Sequence, residues 1–509
     1  MQKKGNIMSD CKYIIVQAGG KGTRMKQLTR NKPKALVPVN NLPMIFHLFR
    51  KFPDKKFIVI GDYKYDVLVK YLAAFADVDY TVINGSGSTG TCSGLPEALK
   101  LVEDNSSFML IWSDLVLPES FDIPENGDNY VGVSKDFRCR WSWKNEKFVE
   151  EPSEEHGVAG CFIFRDKNLI NDVPLEGEFV RYLSGKNISF KELPLYGTHE
   201  YGLIEEYAKL PKYRCRPFNH LEITEDTITK TGIDEQGRAL AVRERQWYQK
   251  IKDAGFTSIP KIYKMEPLVM ERIHGMNIYE YGDLNLEQRK QILKSLIACL
   301  KSVHSLESVP SDYQSYEDAY IGKTVKRLEK VRELVPFANE PYIIINGRKC
   351  RNVFYHWNEV EEKMKRYFPS EFVLLHGDCT FSNLMLRSED MSPVLIDPRG
   401  YFGTTELYGD PAYEWAKLYY SVVGNYDRFN LKRFDLSINP NDVTLSIESN
   451  GWEDTESYFF ELLKDEIDPY QIKLIHAIIW LSLTTYAWED YDSICGAFYN
   501  GNYYLEEVL

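Results

Sequence analysis

The apolar run Tyr13-Ile14-Ile15-Val16 leads without a break into Gln17-Ala18-Gly19-Gly20-Lys21-Gly22-Thr23-Arg24. No other junction constrains the fold as strongly. The β-branched run reads as a buried strand. Glycines directly after it let the backbone turn tightly and bring N–H groups up to an anion. Further apolar runs follow at Phe57–Gly61, Tyr80–Ile83 and Phe108–Trp112, separated by the helical patterns 65–75 and 95–102. Buried strands alternating with helices predict an α/β unit with a mostly parallel sheet and helices on both faces. Ligands of such sheets bind beyond the carboxyl ends of the strands. The glycine loop and Asp114 both fall at such ends.

At 509 residues the chain exceeds one core, and two or three domains are expected. The first spans 1–211, closing on the helix Glu205–Leu210 and a break at Pro211. The second spans 212–509 and begins in earnest near Tyr213. Its small lobe, about 213–275, reads as short strands plus the helix Ala239–Ala254. Its large lobe, about 276–509, reads as mainly helical from Leu286, interrupted by the region 372–403.

A net charge of -12 argues against non-specific nucleic-acid binding, which needs a basic footprint. Nine dispersed cysteines without a CxxC pair read as reduced thiols, and hence as a cytoplasmic chain. Met1–Asp10 holds no apolar stretch, so no signal peptide is expected. Leu474–Trp488 is too short to span a bilayer and contains His476, so it reads as a buried helix, and no membrane partner is expected.

Lys21, Arg24 and Lys34 supply positive charge for a triphosphate, and Asp114 at a strand end suits Mg²⁺. The glycine run, together with Asn31-Lys32-Pro33-Lys34-Ala35-Leu36-Val37-Pro38-Val39, resembles the signature of sugar-phosphate nucleotidyltransferases and their phosphocholine cytidylyltransferase relatives, over roughly residues 12–210. The resemblance implies a Rossmann-like fold. It implies nucleotide contacts from Gln17, Ala18, Gly19, Gly20, Lys21, Gly22 and Thr23, with Gly90 and Thr91 near the base. It also implies catalytic roles for Arg24 and Lys34, a metal role for Asp114, and substrate contacts at Glu151 and Gly160. The chain departs from the family at a late Gly-Thr pair, Gly197-Thr198. A second metal aspartate precedes that pair in many relatives, and here Leu195-Tyr196 stands there. Either the ligand comes from elsewhere, or one carboxylate suffices, or the domain is impaired.

Far downstream, His376-Gly377-Asp378-Cys379-Thr380-Phe381-Ser382-Asn383 follows one apolar run, and Asp397-Pro398-Arg399 follows another. Phosphoryl transfer needs a carboxylate to orient and deprotonate the hydroxyl, which Asp378 fits. It also needs oxygen ligands for Mg²⁺, which Asn383 and Asp397 fit. These segments and Gly409-Asp410-Pro411-Ala412-Tyr413-Glu414-Trp415-Ala416 resemble the choline kinase and aminoglycoside phosphotransferase family. The resemblance implies a protein-kinase-like two-lobed α+β domain. Lys230 would meet ATP, Glu244 would pair with it, and Glu271 and Ile273 would lie at the adenine hinge.

Together the motifs predict a bifunctional enzyme using Mg²⁺ in both domains, with ATP and CTP as co-substrates. It would phosphorylate a small amine-bearing alcohol, choline-like, and couple the phosphomonoester to CTP for surface-glycan or lipid decoration. Trp488, Glu489 and Asp490 suggest an ammonium site through ring faces and carboxylates. Arg399 instead suggests a carboxylate or phosphate on the acceptor, or a pair with Asp410. Three alternatives stand beside this reading: a sugar kinase with a sugar-1-phosphate nucleotidyltransferase, the same chemistry on a hydroxy amino acid, and a nucleotide-binding regulatory protein with one inactive domain. The expected partners are small molecules and nucleotides; assembly into a homo-oligomer stays open.

Overall fold

A computed structural model describes residues 11–124, 126–210 and 219–509. The readings made on Met1–Asp10, Pro211 and Tyr213 lie outside the described residues. The chain divides into two compact units. One comprises residues up to 211 together with Trp488–Asp492; the other comprises the remainder.

In the first unit the strand Tyr13–Gln17 lies inside a nine-stranded sheet, parallel to Lys56–Gly61 on one side and to Phe108–Trp112 on the other. Tyr80–Asn84 continues the parallel half. Ile14, Ile15 and Val16 are wholly buried, as a strand covered on both faces requires. The other half is mostly antiparallel where the alternation of strand and helix stops, with Lys191–Pro194 parallel to its neighbour Tyr130–Ser134. Gly157–Phe164 runs against both Phe108–Trp112 and Tyr130–Ser134. A hairpin, Ser142–Lys144 with Lys147–Val149, turns through Asn145 and Glu146, both at positive φ. A short ribbon pairs His199–Glu200 with Leu115–Val116 and carries residue 200 beside the strand end at Asp114.

The second unit opens with a four-stranded antiparallel sheet of Asn219–Ile223, Thr227–Gly232, Leu268–Glu271 and Ile262–Lys264. Its helix runs Glu235–Asp253. It starts earlier than the apolar pattern suggests because Asp234 caps it, accepting from the Gly237 N–H at 2.6 Å. The large lobe carries the helices Leu286–His304, Pro411–Val422 and Pro469–Leu483. The last of these is the expected buried helix, and it ends before Trp488.

The lobe is mainly helical, and to its helices it adds a four-stranded sheet that was not read: Tyr342–Ile345, Arg348–Arg351, Phe434–Ile438 and Val443–Ile447. Its first hairpin turns at Asn346-Gly347, both at positive φ, a strong local hairpin signal. Eight cysteines are buried free thiols among the described residues. No helix among the described residues is long and apolar enough to cross a membrane.

Candidate active sites

The glycine loop of the first unit is tied to its neighbours through main-chain groups and through the Gln17 and Thr91 side chains. The Ala18 N–H donates to the Ile60 carbonyl at 2.8 Å. The Gln17 amide donates to the Thr91 carbonyl at 2.8 Å, and Thr91 Oγ1 accepts from the Phe179 N–H at 2.8 Å. The loop 17–24 and the loop holding Gly90 and Thr91 are thereby brought together. Gly90 has φ of 90°, and a Cβ there would stand 2.3 Å from the Gly177 carbonyl oxygen. Gly19 abuts Asp62, while Gly20, Lys21, Thr23 and Arg24 are exposed and Gly22 is half-buried.

Lys34 is buried and its ammonium pairs with Asp114 Oδ2. Asp114 Oδ1 is buried and has no hydrogen-bond partner. Glu200, unmarked in the sequence, joins this pair. A Cβ at Gly202 would stand 2.3 Å from Glu200 Oε1 and 3.2 Å from Lys34 Nζ, so both end groups occupy the space that the glycine leaves. Burial and the Asp114 charge push the Glu200 carboxyl up, against Lys34 and Arg24. Two carboxylates gathered around Lys34, one with an orphaned oxygen, form a hard-oxygen donor set that fits Mg²⁺. Leu195, at the place where relatives carry an aspartate, is buried in the core. The sequence signal for Glu200 was weak: a carboxylate two residues after the Gly-Thr pair, on a ribbon that only the fold reveals.

Gly160 has φ of 72°, and a Cβ there would overlap the Trp112 ring at 2.1 Å. It therefore serves the packing of the residue just before Ser113-Asp114. Glu151 is exposed and pairs with Lys144 at 2.9 Å. Trp488, Glu489 and Asp490 group with this first unit, not with the unit that holds Asp378. The Trp488 ring lies 5.5 Å from Phe46 and 5.8 Å from Phe75, and Asp490 pairs at 3.0 Å with the buried Lys32. The Trp488 ring thus fills an aromatic cluster, and Asp490 has a cation of the chain itself.

In the second unit Lys230 Nζ lies 2.8 Å from both Glu244 and Asp397. Burial opposes the Lys230 charge, but Asp397 and Glu244 outweigh it and hold its pKa above the ordinary lysine range. Burial also pushes the Glu244 carboxyl up, to about 7, with Lys230 opposing. Asp397 has φ of 52°, left-handed backbone that a non-glycine residue adopts at a cost.

Asn383 Nδ2 donates to the Asp378 carbonyl at 2.8 Å and to its carboxylate at 3.0 Å. Lys417 pairs with Asp378 Oδ1 at 2.8 Å. Beneath the loop, the fully buried Glu414 accepts from the His376 N–H at 3.0 Å, the Gly377 N–H at 2.8 Å and His304 Nε2 at 3.1 Å. Burial opposes its ionisation, yet His304, His376 and the Gly377 N–H hold its pKa below the usual range. His376 Nε2 donates to the Ile396 carbonyl at 2.7 Å, which links the Asp378 loop to the residue before Asp397.

Glu271 is tied to Arg387 at 2.6 Å and 3.0 Å, so its carboxylate links its strand to the neighbouring sheet. Ile273 is buried. Arg399 does not take Asp410. It donates to the Tyr413 hydroxyl at 3.0 Å and the Tyr401 hydroxyl at 2.8 Å, while Asp410 accepts from Tyr320 and caps the helix Pro411–Val422 through Ala412. Glu414 and Lys417 were missed as site residues, although Glu414 sits inside the Gly409–Ala416 motif.

The sequence has counterparts among known proteins. Residues 14–122 match the MobA-like NTP transferase domain, and residues 233–435 match the phosphotransferase enzyme family. The chain is 31% identical over 238 residues to the D-glycero-alpha-D-manno-heptose 1-phosphate guanylyltransferase of Campylobacter jejuni, covering 43% of this chain and 95% of that protein. It is 34% identical over 106 residues to the UTP–glucose-1-phosphate uridylyltransferase AglF of Haloferax volcanii, covering 20% of this chain and 42% of that protein. Of several GlmU relatives from Methanococcus maripaludis the chain spans 29% of the length. The crystal structure of HddC from Yersinia pseudotuberculosis is 22% identical, with a TM-score of 0.33 over 39% of this chain and 97% of that one. The chain belongs, through its N-terminal part, to the sugar-phosphate nucleotidyltransferase family, and it joins to that part a domain of the phosphotransferase enzyme family.

Proposed function

We propose that the chain carries out two consecutive transfers on one small alcohol. In the second unit the acceptor hydroxyl oxygen bonds to the γ-phosphorus of ATP as the bond to the β–γ bridging oxygen breaks. The hydroxyl proton passes to Asp378 and ADP leaves. Lys230, held by Glu244, meets the ATP phosphates. In the first unit a phosphomonoester oxygen bonds to the α-phosphorus of a nucleoside triphosphate as the α–β bridge breaks, releasing pyrophosphate. Arg24, Lys21 and Lys34 stabilise the charge that develops there. Asp114 with Glu200, and Asp397 with Asn383, would hold Mg²⁺, which supplies charge neutralisation at the phosphates.

The observation that carries this reading is the Lys230–Glu244–Asp397 contact beside the Asp378–Asn383 pair, in a chain whose other unit pairs Lys34 with Asp114. The choline and CTP form of the reading rests on the resemblance of the second unit to choline kinases. A specific observation favours the sugar form instead: the relative matched over 95% of its length is a heptose 1-phosphate guanylyltransferase. A cytoplasmic location accords with either form.

The test separates the half-reactions. Purified protein receives ATP, Mg²⁺ and an acceptor panel, with CTP, UTP or GTP in parallel, and ADP and pyrophosphate are measured. Asp378→Asn is expected to abolish ADP formation and spare pyrophosphate release from a supplied phosphomonoester. Asp114→Asn is expected to do the reverse. A parent protein that performs neither step would leave the regulatory-protein reading standing.

A further inference from the structure

Around the Tyr413 and Tyr401 rings the second unit gathers cations. Arg399 is the one whose backbone adjoins the His376-Gly377-Asp378 loop. Its N–H donates to the His376 carbonyl at 2.8 Å, and its Cβ would stand 3.1 Å from a Cβ placed on Gly377. Its guanidinium is held by the Tyr413 and Tyr401 hydroxyls and lies 4.4 Å from the centre of the Tyr401 ring. Lys323 Nζ lies 6.0 Å from the centre of the same Tyr413 ring. Arg327 follows Lys323 by one turn on the helix Lys323–Val331 and donates to the Ser482 carbonyl at 2.6 Å and to Ser482 Oγ at 3.0 Å.

Among the described residues no carboxylate forms a salt bridge with Lys323, Arg327 or Arg399. Lys417, the fourth cation, is engaged by Asp378. The groups sense one another. Burial lowers the Lys323 pKa well below the ordinary range, and Arg399, Arg327 and Lys417 lower it further, with Asp318 the opposing charge. Burial and Arg399 act in the same direction on Arg327. Burial opposes the Arg399 charge, but Tyr413, Tyr401 and the Asp378 charge hold it as a cation. Lys323 and Arg327, which it repels, are met by a ring face and by the Ser482 oxygens, an arrangement that a bound oxyanion would relieve. Two guanidiniums also suit bidentate recognition of phosphate or carboxylate.

We infer that the acceptor phosphorylated at Asp378 is an alcohol that also bears an oxyanion, a phosphate or a carboxylate, and that Lys323, Arg327 and Arg399 bind that oxyanion. The inference rests on the kinase reading of this unit and names its substrate class. A cationic acceptor such as choline would enter a field of its own sign. The three residues discriminate among acceptors, and ATP is left to Lys230, which Glu244 and Asp397 hold.

The test uses the full chain with MgATP and matched acceptors: glycerol, glycerate and glycerol 3-phosphate; glucose, gluconate and glucose 6-phosphate; and choline. ADP release gives kcat/KM for each, and the glycerate and glycerol 3-phosphate arms separate carboxylate from phosphate. The expected result is a preference for an anionic member of at least about tenfold. Arg327→Gln should erase it through the acceptor KM with the ATP KM unchanged, and Arg327→Lys should retain part of it. A preference for choline or for the neutral alcohol, an unchanged preference in Arg327→Gln, or an effect on the ATP KM alone would overturn the inference. Calorimetric titration with inorganic phosphate decides the site independently of turnover. Binding that disappears in the Arg327→Gln/Arg399→Gln variant supports it, and binding that is absent or persists in the variant overturns it. Failure of the kinase reading has a different signature: no ADP release with any acceptor, in the parent and in Asp378→Asn alike.

Discussion

Single residues set the chemistry of each site by what stands beside them. Asp114 has Lys34 on one oxygen and nothing on the other, and Glu200 shares the space over Gly202. If Glu200 is the second metal carboxylate, Glu200→Gln should cut nucleotidyl transfer by roughly 10²-fold or more and leave ADP formation in the other unit intact. Pyrophosphate release across a Mg²⁺ titration measures this, and the requirement for Mg²⁺ should rise in the variant. Unchanged turnover at every Mg²⁺ concentration would remove Glu200 from the site. Asp114, Lys34, Asp378, Asn383 and Asp397 were legible in the sequence because each follows a marked strand or loop. Glu200, Glu414 and Lys417 were not, because ribbon pairing and helix burial, not local spacing, bring them to their partners.

At the level of elements, strands and loops hold the reactive groups and buried helices hold the loops. Glu414 lies on the helix Pro411–Val422 and reaches up to two loop N–H groups. A parallel strand that ends in a glycine loop was readable from its β-branched run. The antiparallel half of the first sheet and the second sheet of the large lobe were not read, although Asn346-Gly347 marks a hairpin turn. The buried helix Pro469–Leu483 carries a pH consequence. His476 is fully buried, its Nε2 accepts from Trp480 Nε1 at 3.0 Å, and burial lowers its pKa to about 3. A histidine with a depressed folded pKa binds its proton more readily once unfolded. Its contribution is therefore complete above about pH 6.5 and is lost progressively as the pH falls toward 3. His476→Gln keeps an acceptor for Trp480 and removes the titration. Denaturant unfolding of the variant should show a slope of stability against pH shallower by up to about 1.4 kcal/mol per pH unit in that window. An unchanged slope would mean that His476 is not buried neutral.

At the scale of the whole molecule, two units with different folds each gather lysines and carboxylates that the proposed function reads as a phosphate-handling site. On that proposal the order of the two reactions follows from their chemistry: the phosphomonoester made by one is the nucleophile required by the other. The central claim is that a single phosphoryl group passes through both sites. It is tested by supplying ATP labelled with ¹⁸O in the γ-phosphoryl group, an unlabelled second nucleoside triphosphate and the acceptor panel, and weighing the nucleotide conjugate by mass spectrometry. The account predicts a conjugate whose acceptor-side phosphate carries the γ-derived ¹⁸O, lost in Asp378→Asn and restored when the phosphomonoester is supplied directly. A conjugate without label, or labelled phosphomonoester that never appears in a conjugate, would contradict it.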